Sequence, residues 1–426
     1  RKLVLKMAKN QIISVNFQGI EIGKMGYDEN QKKSSFQYNP AFLEMNLYKN
    51  LFPYIIRRSP NAQVFSEFEG ETFRGLPPMI ADSLPDYFGN IVFKEWLEAS
   101  QKDFKNISPL VQLTYVGKRG MGALEFAPAK DIKADITIDV HEITEIVKKV
   151  LDLKTSVQEK GLSDIALLNI FKIGSSAGGA RPKILVSEHK ISGELIPGDL
   201  VTSDEYNHYI IKLSIDEKAE YSKEKIEFIY YQLATKIGIE MMPSKLIDDK
   251  HFATERFDRQ NGGKQHILTA SGIAGWDFKK PEHSTYENLF RLAVDLKLPH
   301  KDVQQLFKRM VFNLVFANID DHLKNFSFIY DTEKDRWNLA PAYDLTYTLD
   351  ALMNYTKVSR ALSINGKRNN ITRTDLVEIA DQFTIKNPNG IIEEVLEATK
   401  LFRIFAEEHK IPKKVIDKIE SEFNSF

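Results

Sequence analysis

Cysteine is absent from all 426 residues. Disulfide frameworks and thiolate metal sites are therefore excluded, which fits a reducing compartment. Long apolar runs are missing too: nothing approaches the roughly 18 consecutive apolar residues of a membrane-spanning helix. The opening stretch "RKLVLKMAKN" has too short an apolar core for a secretory signal. The expectation is a cytoplasmic protein with no membrane partner. Nor is there an excess of charge, since 58 Lys and Arg meet 59 Asp and Glu for a net charge of −1. No global basic field draws the chain to nucleic acid, so such a contact would be a local patch.

What remains is an ordinary globular composition, 42% hydrophobic and 27% charged, in a chain long enough for two or three domains. No low-complexity linker or internal repeat divides it, but its patterning changes twice. Residues 1–140 hold "QIISVNFQGIEIGKMGYDENQKKSSFQY", whose alternation around a turn cluster predicts strands joined by a hairpin. "LPPMIADSLPDYFGNIVFKEWLEAS" follows as a loop feeding a helix, and "LTYVGKRGMGALEFAP" as a further strand with glycine turns. Residues 141–259 mix types, with helical spacing in "HEITEIVKKVLDL" and "EKIEFIYYQLATKIG" and strands in "PKILVS" and "HYIIKLSI". Residues 260–426 are predicted to be mainly helical. The fold class expected is α+β, a smaller strand-rich unit followed by a larger helical one, and clefts between such lobes are common ligand sites.

Four stretches carry candidate chemistry. In "GSSAGGARPKILV", residues 174–186, glycines at 174, 178 and 179 let backbone N–H groups converge while Arg181 and Lys183 add positive charge. That suits a phosphate loop and equally a plain surface turn; no Gly-Lys-Ser/Thr ends it, so it is not a Walker A motif. Lys212 in "YIIKLSI" has apolar strand neighbours, so its ammonium must find an anion or snorkel from an edge strand. In "FANIDDHLKNFSF", residues 316–328, Asp320 and Asp321 follow a helix C-terminus, where the dipole disfavours negative charge unless a cation offsets it. Asp320 precedes Asn325 by five residues, the spacing of a catalytic aspartate and a metal-holding asparagine on one loop, or else of a solvated turn. In "LAPAYDLTYT", Asp344 sits among apolar and aromatic residues, and oxygen ligands such as Asp344 and Asn325 suit Mg²⁺.

Their order raises these separate signals. A glycine loop, a strand lysine, a strand-to-loop acid, an Asp-x₄-Asn loop and a second aspartate about twenty residues on form the layout of a two-lobed protein-kinase-like fold. The protein-kinase spellings "HRD" and "DFG" are missing. So is a clear partner for the lysine, for which Glu224 or Glu227 on the following helix could serve.

The blocks "SSAGGARPKILV", "YIIKL", "ERFDR", "NIDDHLKNFSFIYD" and "LAPAYDL" resemble the signature blocks of the HipA family, the serine/threonine-kinase toxins of HipA–HipB toxin–antitoxin modules. The resemblance extends over nearly the whole chain, with "FQYNPAFLE" and "IADSLPDYFGN" in the family's β-rich N-terminal subdomain. It implies residues 1–140 as that subdomain, 141–259 as a kinase N-lobe and 260–426 as a helical kinase C-lobe. It implies ATP and Mg²⁺ as cofactors and Asp320 as the catalytic aspartate. ATP would be bound by Gly178, Gly179, Ala180, Arg181, Pro182 and Lys183 of the loop, by Lys212, and by Glu255, Arg256 and Phe257 at the hinge. His322, Leu323, Lys324, Asn325, Tyr343 and Asp344 would line the same site, Asn325 and Asp344 holding the metal. Ser176, with Ser175 as its competitor, would be autophosphorylated, expelling the loop and switching the enzyme off. The implied partners are a HipB-like DNA-binding antitoxin, operator DNA reached only through it, and a protein substrate, an aminoacyl-tRNA synthetase. Pro182 removes one possible N–H donor from the loop. A small-molecule kinase and a nucleotide-binding, non-catalytic regulator remain as alternatives.

Overall fold

Alternation of inward and outward side chains builds the first sheet. In "QIISVNF" Ile13, Val15 and Phe17 are buried and their neighbours are not, and this strand, β1 (Gln11–Phe17), pairs antiparallel with β2 (Ile20–Asp28). The computed structural model describes residues 11–85, 87–99, 107–129, 138–151, 181–198, 203–216, 219–348 and 359–426. The turn into β3 (Lys33–Tyr38) is held by the Asp28 carboxylate, which accepts from the N–H groups of Asn30 at 2.9 Å and Gln31 at 3.1 Å. With β4 (Gln63–Phe65) and β5 (Leu124–Ala127) the order is β4-β3-β2-β1-β5. The segment "LTYV", expected as strand, is instead the end of the helix Pro109–Val116. Ser108 caps that helix by accepting from Val111 N–H, and Pro109 opens it, so local capping overrides the β-branched composition.

A second sheet holds β6 (Lys183–His189), β7 (Leu195–Pro197), β8 (Tyr206–Lys212), β9 (Ser244–Ile247) and β10 (His251–Glu255) in the order β7-β6-β8-β10-β9. Strand β8 is therefore central, and Lys212 at its end faces Lys183 of β6 and Phe252 of β10. The helices Tyr87–Ala99 and Val140–Leu151 share an apolar core with this sheet, in which Phe93, Val147, Ile184 and Ile211 are fully buried. Ser222 caps the helix Lys223–Lys236, and Gly238, at φ +75°, takes the left-handed position just past its end.

After β10 the chain crosses to the other lobe through residues 256–265, with a small ribbon of β11 (Arg259–Gln260) and β12 (Gly263–Lys264). The C-terminal region is mainly helical, its longest helices being His300–Val315 and Pro388–Glu408. It also contains a three-stranded sheet unforeseen from sequence: β13 (His266–Thr269), β14 (Ser327–Asp331) and β15 (Arg336–Leu339). The N-terminal sheet leans on this one, with the Phe17 ring 5.6 Å from His266 and 6.4 Å from Tyr330. The architecture is α+β and two-lobed. Among the described residues no helix is long and apolar enough to cross a membrane.

Candidate functional site

Lys212 is buried at the end of the central strand, and its ammonium is met from two directions. Glu227, buried on the helix Lys223–Lys236, accepts at 2.5 Å, and Asp344 from the opposite lobe accepts as well. Burial alone would strip the Lys212 proton, but the Asp344 and Glu227 carboxylates outweigh it and raise its pKa. Burial would likewise raise Asp344, yet Lys212 and Lys183 hold it down at about 2. Arg181 stands 3.6 Å from Glu227. Three cations, Arg181, Lys183 and Lys212, thus share one end of the cleft with two carboxylates.

The loop after helix His300–Val315 is built to aim Asp320. Thr348 Oγ1 accepts from the N–H groups of Ile319 at 2.9 Å and Asp320 at 3.2 Å, while Asn318 donates to the carbonyl of Asp344 at 3.2 Å. Asn325 Nδ2 donates to the Asp320 carbonyl at 2.9 Å. The two adjacent acids have opposite fates. Asp321 is buried, accepting from Arg360 at 2.6 Å and from the Tyr286 hydroxyl at 2.7 Å. Asp320 opens to the cleft; the surrounding protein raises its pKa by desolvation, His322 opposes that, and the charges of Asp344 and Asp321 add to it. Tyr343 lies under the loop, its hydroxyl donating to the Lys324 carbonyl at 2.7 Å, and its ring 5.8 Å from Phe257 at the lobe crossing.

A cleft of about 1920 Å³ runs between the lobes. It is lined by Arg181, Lys183, Lys212, Glu255, Arg256, Phe257, Asp320, His322, Lys324, Asn325, Tyr343 and Asp344, so the structure gathers most of the sequence-predicted residues on one cavity. Leu323 is not among them: it is fully buried in the short 3₁₀ turn Leu323–Asn325. Pro182 is engaged through its carbonyl, which accepts from Leu213 N–H at 2.9 Å, and does not line the cleft. The Arg256 guanidinium is committed to Asp258, through Nε and Nη2 at 2.9 Å each. Gly178, Gly179, Ala180, Ser175 and Ser176 lie outside the described residues.

The donor chemistry suits a hard cation. The Asp344 carboxylate and the Asn325 amide oxygen are both oxygen donors on the cleft, and the Asn325 bond to Asp320 uses its NH₂, leaving the oxygen for a metal. Among the described residues no three His, Asp or Glu side chains cluster as a cage. Mg²⁺ does not require one, because it usually keeps several waters and binds one or two protein groups together with phosphates.

Sequence reasoning missed Thr348, Asn318 and Arg360, which position the loop, and left Glu227 undecided beside Glu224. Glu227 is recognisable only in space: the helix turns it toward the strand lysine. Nothing in the spacing pairs Asp321 with Arg360, which stands 39 residues further on.

Two family models match the chain: the HipA-like C-terminal domain over residues 175–401 and the HipA N-terminal domain over residues 13–127. Two Sinorhizobium fredii proteins with kinase in their names are similar to it. Y4dM is 25% identical over 217 residues, 46% of this chain, and Y4mE is 27% identical over 186 residues, 40% of this chain. The chain spans about half the length of these curated relatives, 52% and 43%. A solved chain from the Shewanella oneidensis MR-1 toxin–antitoxin complex of HipA, HipB and its operator DNA superposes with a TM-score of 0.64. The match covers 96% of this chain and 95% of that one at 17% identity, a likeness of fold.

Proposed function

This chain belongs to the HipA family, and from that membership we propose that it is an ATP-dependent serine/threonine-protein kinase, the toxin of a toxin–antitoxin pair. The observation that carries the reading is the convergence of Lys212, Glu227, Asp320, Asn325 and Asp344 on one interlobe cleft. On this reading residues 1–140 are the N-terminal subdomain, 141–259 the lobe that receives the phosphates and 260–426 the lobe with the catalytic loops.

Lys212, with Arg181 and Lys183 beside it, supplies the positive surface for the triphosphate, and Glu227 fixes the ammonium. The lobe crossing at Glu255–Phe257 meets the adenine. Asp344 and Asn325 would hold Mg²⁺, which would neutralise phosphate charge. Asp320 accepts the proton of the acceptor hydroxyl as its oxygen bonds to the γ-phosphorus; the bond from that phosphorus to the β,γ-bridging oxygen breaks and ADP leaves. A raised Asp320 pKa favours that proton transfer. Positioning and fixed charge do most of the work in such a reaction.

The acceptor is a cellular protein, an aminoacyl-tRNA synthetase, whose modification slows translation in the cytoplasm. Phosphorylation of Ser176, or of Ser175, would place nearly two negative charges in a loop built to hold phosphate from outside, which switches the enzyme off. The antitoxin is a DNA-binding protein of HipB type, through which operator DNA is reached. Incubating the protein with labelled ATP and a cell lysate tests the activity. Label on a protein band supports it; label confined to the low-mass fraction supports a small-molecule kinase instead, and no transfer at all leaves a nucleotide-binding regulator.

A further inference from the structure

Tyr230 is fully buried, and the chemistry above does not use it. It stands three residues after Glu227 on the helix Lys223–Lys236, so the two side chains leave that helix about one turn apart. Glu227 reaches Lys212, whereas the Tyr230 hydroxyl donates to the carbonyl of Phe316 at 2.6 Å. Phe316 closes the helix His300–Val315: its N–H donates to the Phe312 carbonyl at 2.9 Å, and its own carbonyl lies beyond the last turn, with no partner inside the helix. Asp320 follows four residues later. Burial pushes the Tyr230 pKa well above the ordinary tyrosine value, so the hydroxyl keeps its proton and serves as a donor.

The two helices are fastened along their length. The Tyr230 ring lies 5.9 Å from Phe312, 5.7 Å from Phe316 and 6.2 Å from Phe402, and Ile229 and Leu233 are buried in the same core. Past the helix end, Lys308 donates to the Ile237 carbonyl at 2.6 Å and Gln305 to the Gly238 carbonyl at 2.8 Å. The sheet that carries Lys212 has a separate core, which includes Ile184 and Ile211. The helix that follows this sheet in sequence is thus packed with the helix that leads into the Asp320 loop, and Glu227 reaches back from it to the sheet.

We propose that Tyr230 is a positioning residue for the Asp320 loop, so that one helical turn sets that loop and the Lys212 ammonium in register. The inference rests on the kinase reading above. A buried carbonyl that loses its donor is costly to leave unpaired, so the helix end shifts to find another partner. Ala317, at φ +53°, is the left-handed residue that turns the chain out of the helix, and a shift at Phe316 passes through it to Asp320.

Tyr230→Phe tests this, because it keeps the ring among its aromatic neighbours and removes only the hydroxyl. Tyr231→Phe, one residue on, is the control. Label transfer from ATP to lysate protein is measured together with amide hydrogen exchange over residues 317–325 of the full chain. In Tyr230→Phe the maximal rate at saturating ATP falls about tenfold while KM for ATP stays within about twofold, since the loop acts in the transition state. Exchange over 317–325 rises about tenfold, and β6 and β8 keep parent rates. Tyr231→Phe matches the parent in both measurements. A parent-like maximal rate in Tyr230→Phe overturns the inference, as does an equal loss in Tyr231→Phe. Faster exchange spread evenly over the chain also overturns it, by marking a tyrosine that serves stability alone. A parent chain that transfers no phosphate overturns the kinase reading; the exchange over 317–325 then decides by itself whether the hydroxyl holds the loop.

Discussion

Lys212 and Glu227 meet at 2.5 Å between the central strand and the helix that follows it, and the same ammonium reaches Asp344 in the other lobe. Glu227→Gln keeps the shape and removes the charge that pins Lys212 on its own lobe. A charge-assisted hydrogen bond contributes about 1.5–3 kcal/mol, so kcat/KM for ATP-dependent transfer falls about 10- to 100-fold. Glu224→Gln, at the start of the same helix, leaves it near the parent value. Steady-state phosphorylation assays decide the matter, and an unaffected Glu227→Gln enzyme would reduce the pair to packing.

Asp320 is expected to act in its ionised form. Desolvation by the cleft walls raises its pKa, with His322 opposing and Asp344 and Asp321 adding, so the acid limb of activity lies above the ordinary aspartate value of about 3.9. Activity is present above that raised pKa and falls tenfold per unit as pH drops through it. Asp320→Asn abolishes transfer while ATP affinity stays within about threefold, because its task lies in the transition state. His322→Gln removes the group that holds the pKa down and moves the acid limb to higher pH. A pH profile of kcat/KM, with binding measured separately, distinguishes these outcomes.

Much of this candidate site was legible in the sequence because its polar groups sit at short, fixed spacings. Asp320 and Asn325 share one loop, and Lys212 stands alone among apolar strand residues. What was illegible is what depends on the path of the chain between elements. Asp321 looks like a twin of Asp320, yet one is buried against Arg360 and the other opens to the cleft. The strands of β13–β15 escaped notice because each has only four or five residues, too few for the inward–outward alternation of β13 and β15 to stand out from the surrounding helical pattern. "LTYV" misled in the opposite way: β-branched residues read as strand until the Ser108–Pro109 cap is seen to start a helix.

Arg360 and Asp321 form a buried pair at 2.6 Å that ties the segment after Asp344 back to the loop that carries Asp320. Removing one partner leaves an uncompensated buried charge. Arg360→Leu is therefore expected to destabilise the fold by about 3–5 kcal/mol. Asp321→Asn combined with Arg360→Leu recovers part of that loss, since no ion is left stranded. A double-mutant cycle by urea denaturation measures the coupling. Additive losses would mean that the two side chains stabilise the loop independently.

His266 gives a prediction that concerns stability alone. It is buried beneath the N-terminal sheet with its ring 5.6 Å from Phe17 and 5.4 Å from Trp337, and neither ring nitrogen has a hydrogen-bond partner. Burial holds its pKa down at about 3. The unfolded chain therefore takes up a proton near pH 6.5 that the folded chain refuses. The stability from keeping His266 neutral is complete above pH 6.5 and is lost as pH falls from there toward 3, by up to about 1.4 kcal/mol per unit. His251, held at about 4 by burial, and His409, also lowered, act with the same sign, so the parent falls more steeply than one histidine requires. Asp258, whose pKa is lowered, stabilises the fold above the ordinary aspartate range and loses that only in stronger acid, while carboxylates with raised pKa such as Asp320 and Asp302 act with the opposite sign, so the comparison with the parent isolates His266. His266→Phe fills the aromatic pocket without a titrating group. Between pH 7 and pH 5 it should lose about 2 kcal/mol less than the parent in guanidinium denaturation. Identical losses in the two proteins would show that His266 is protonated in the folded state, contrary to its burial among aromatic rings.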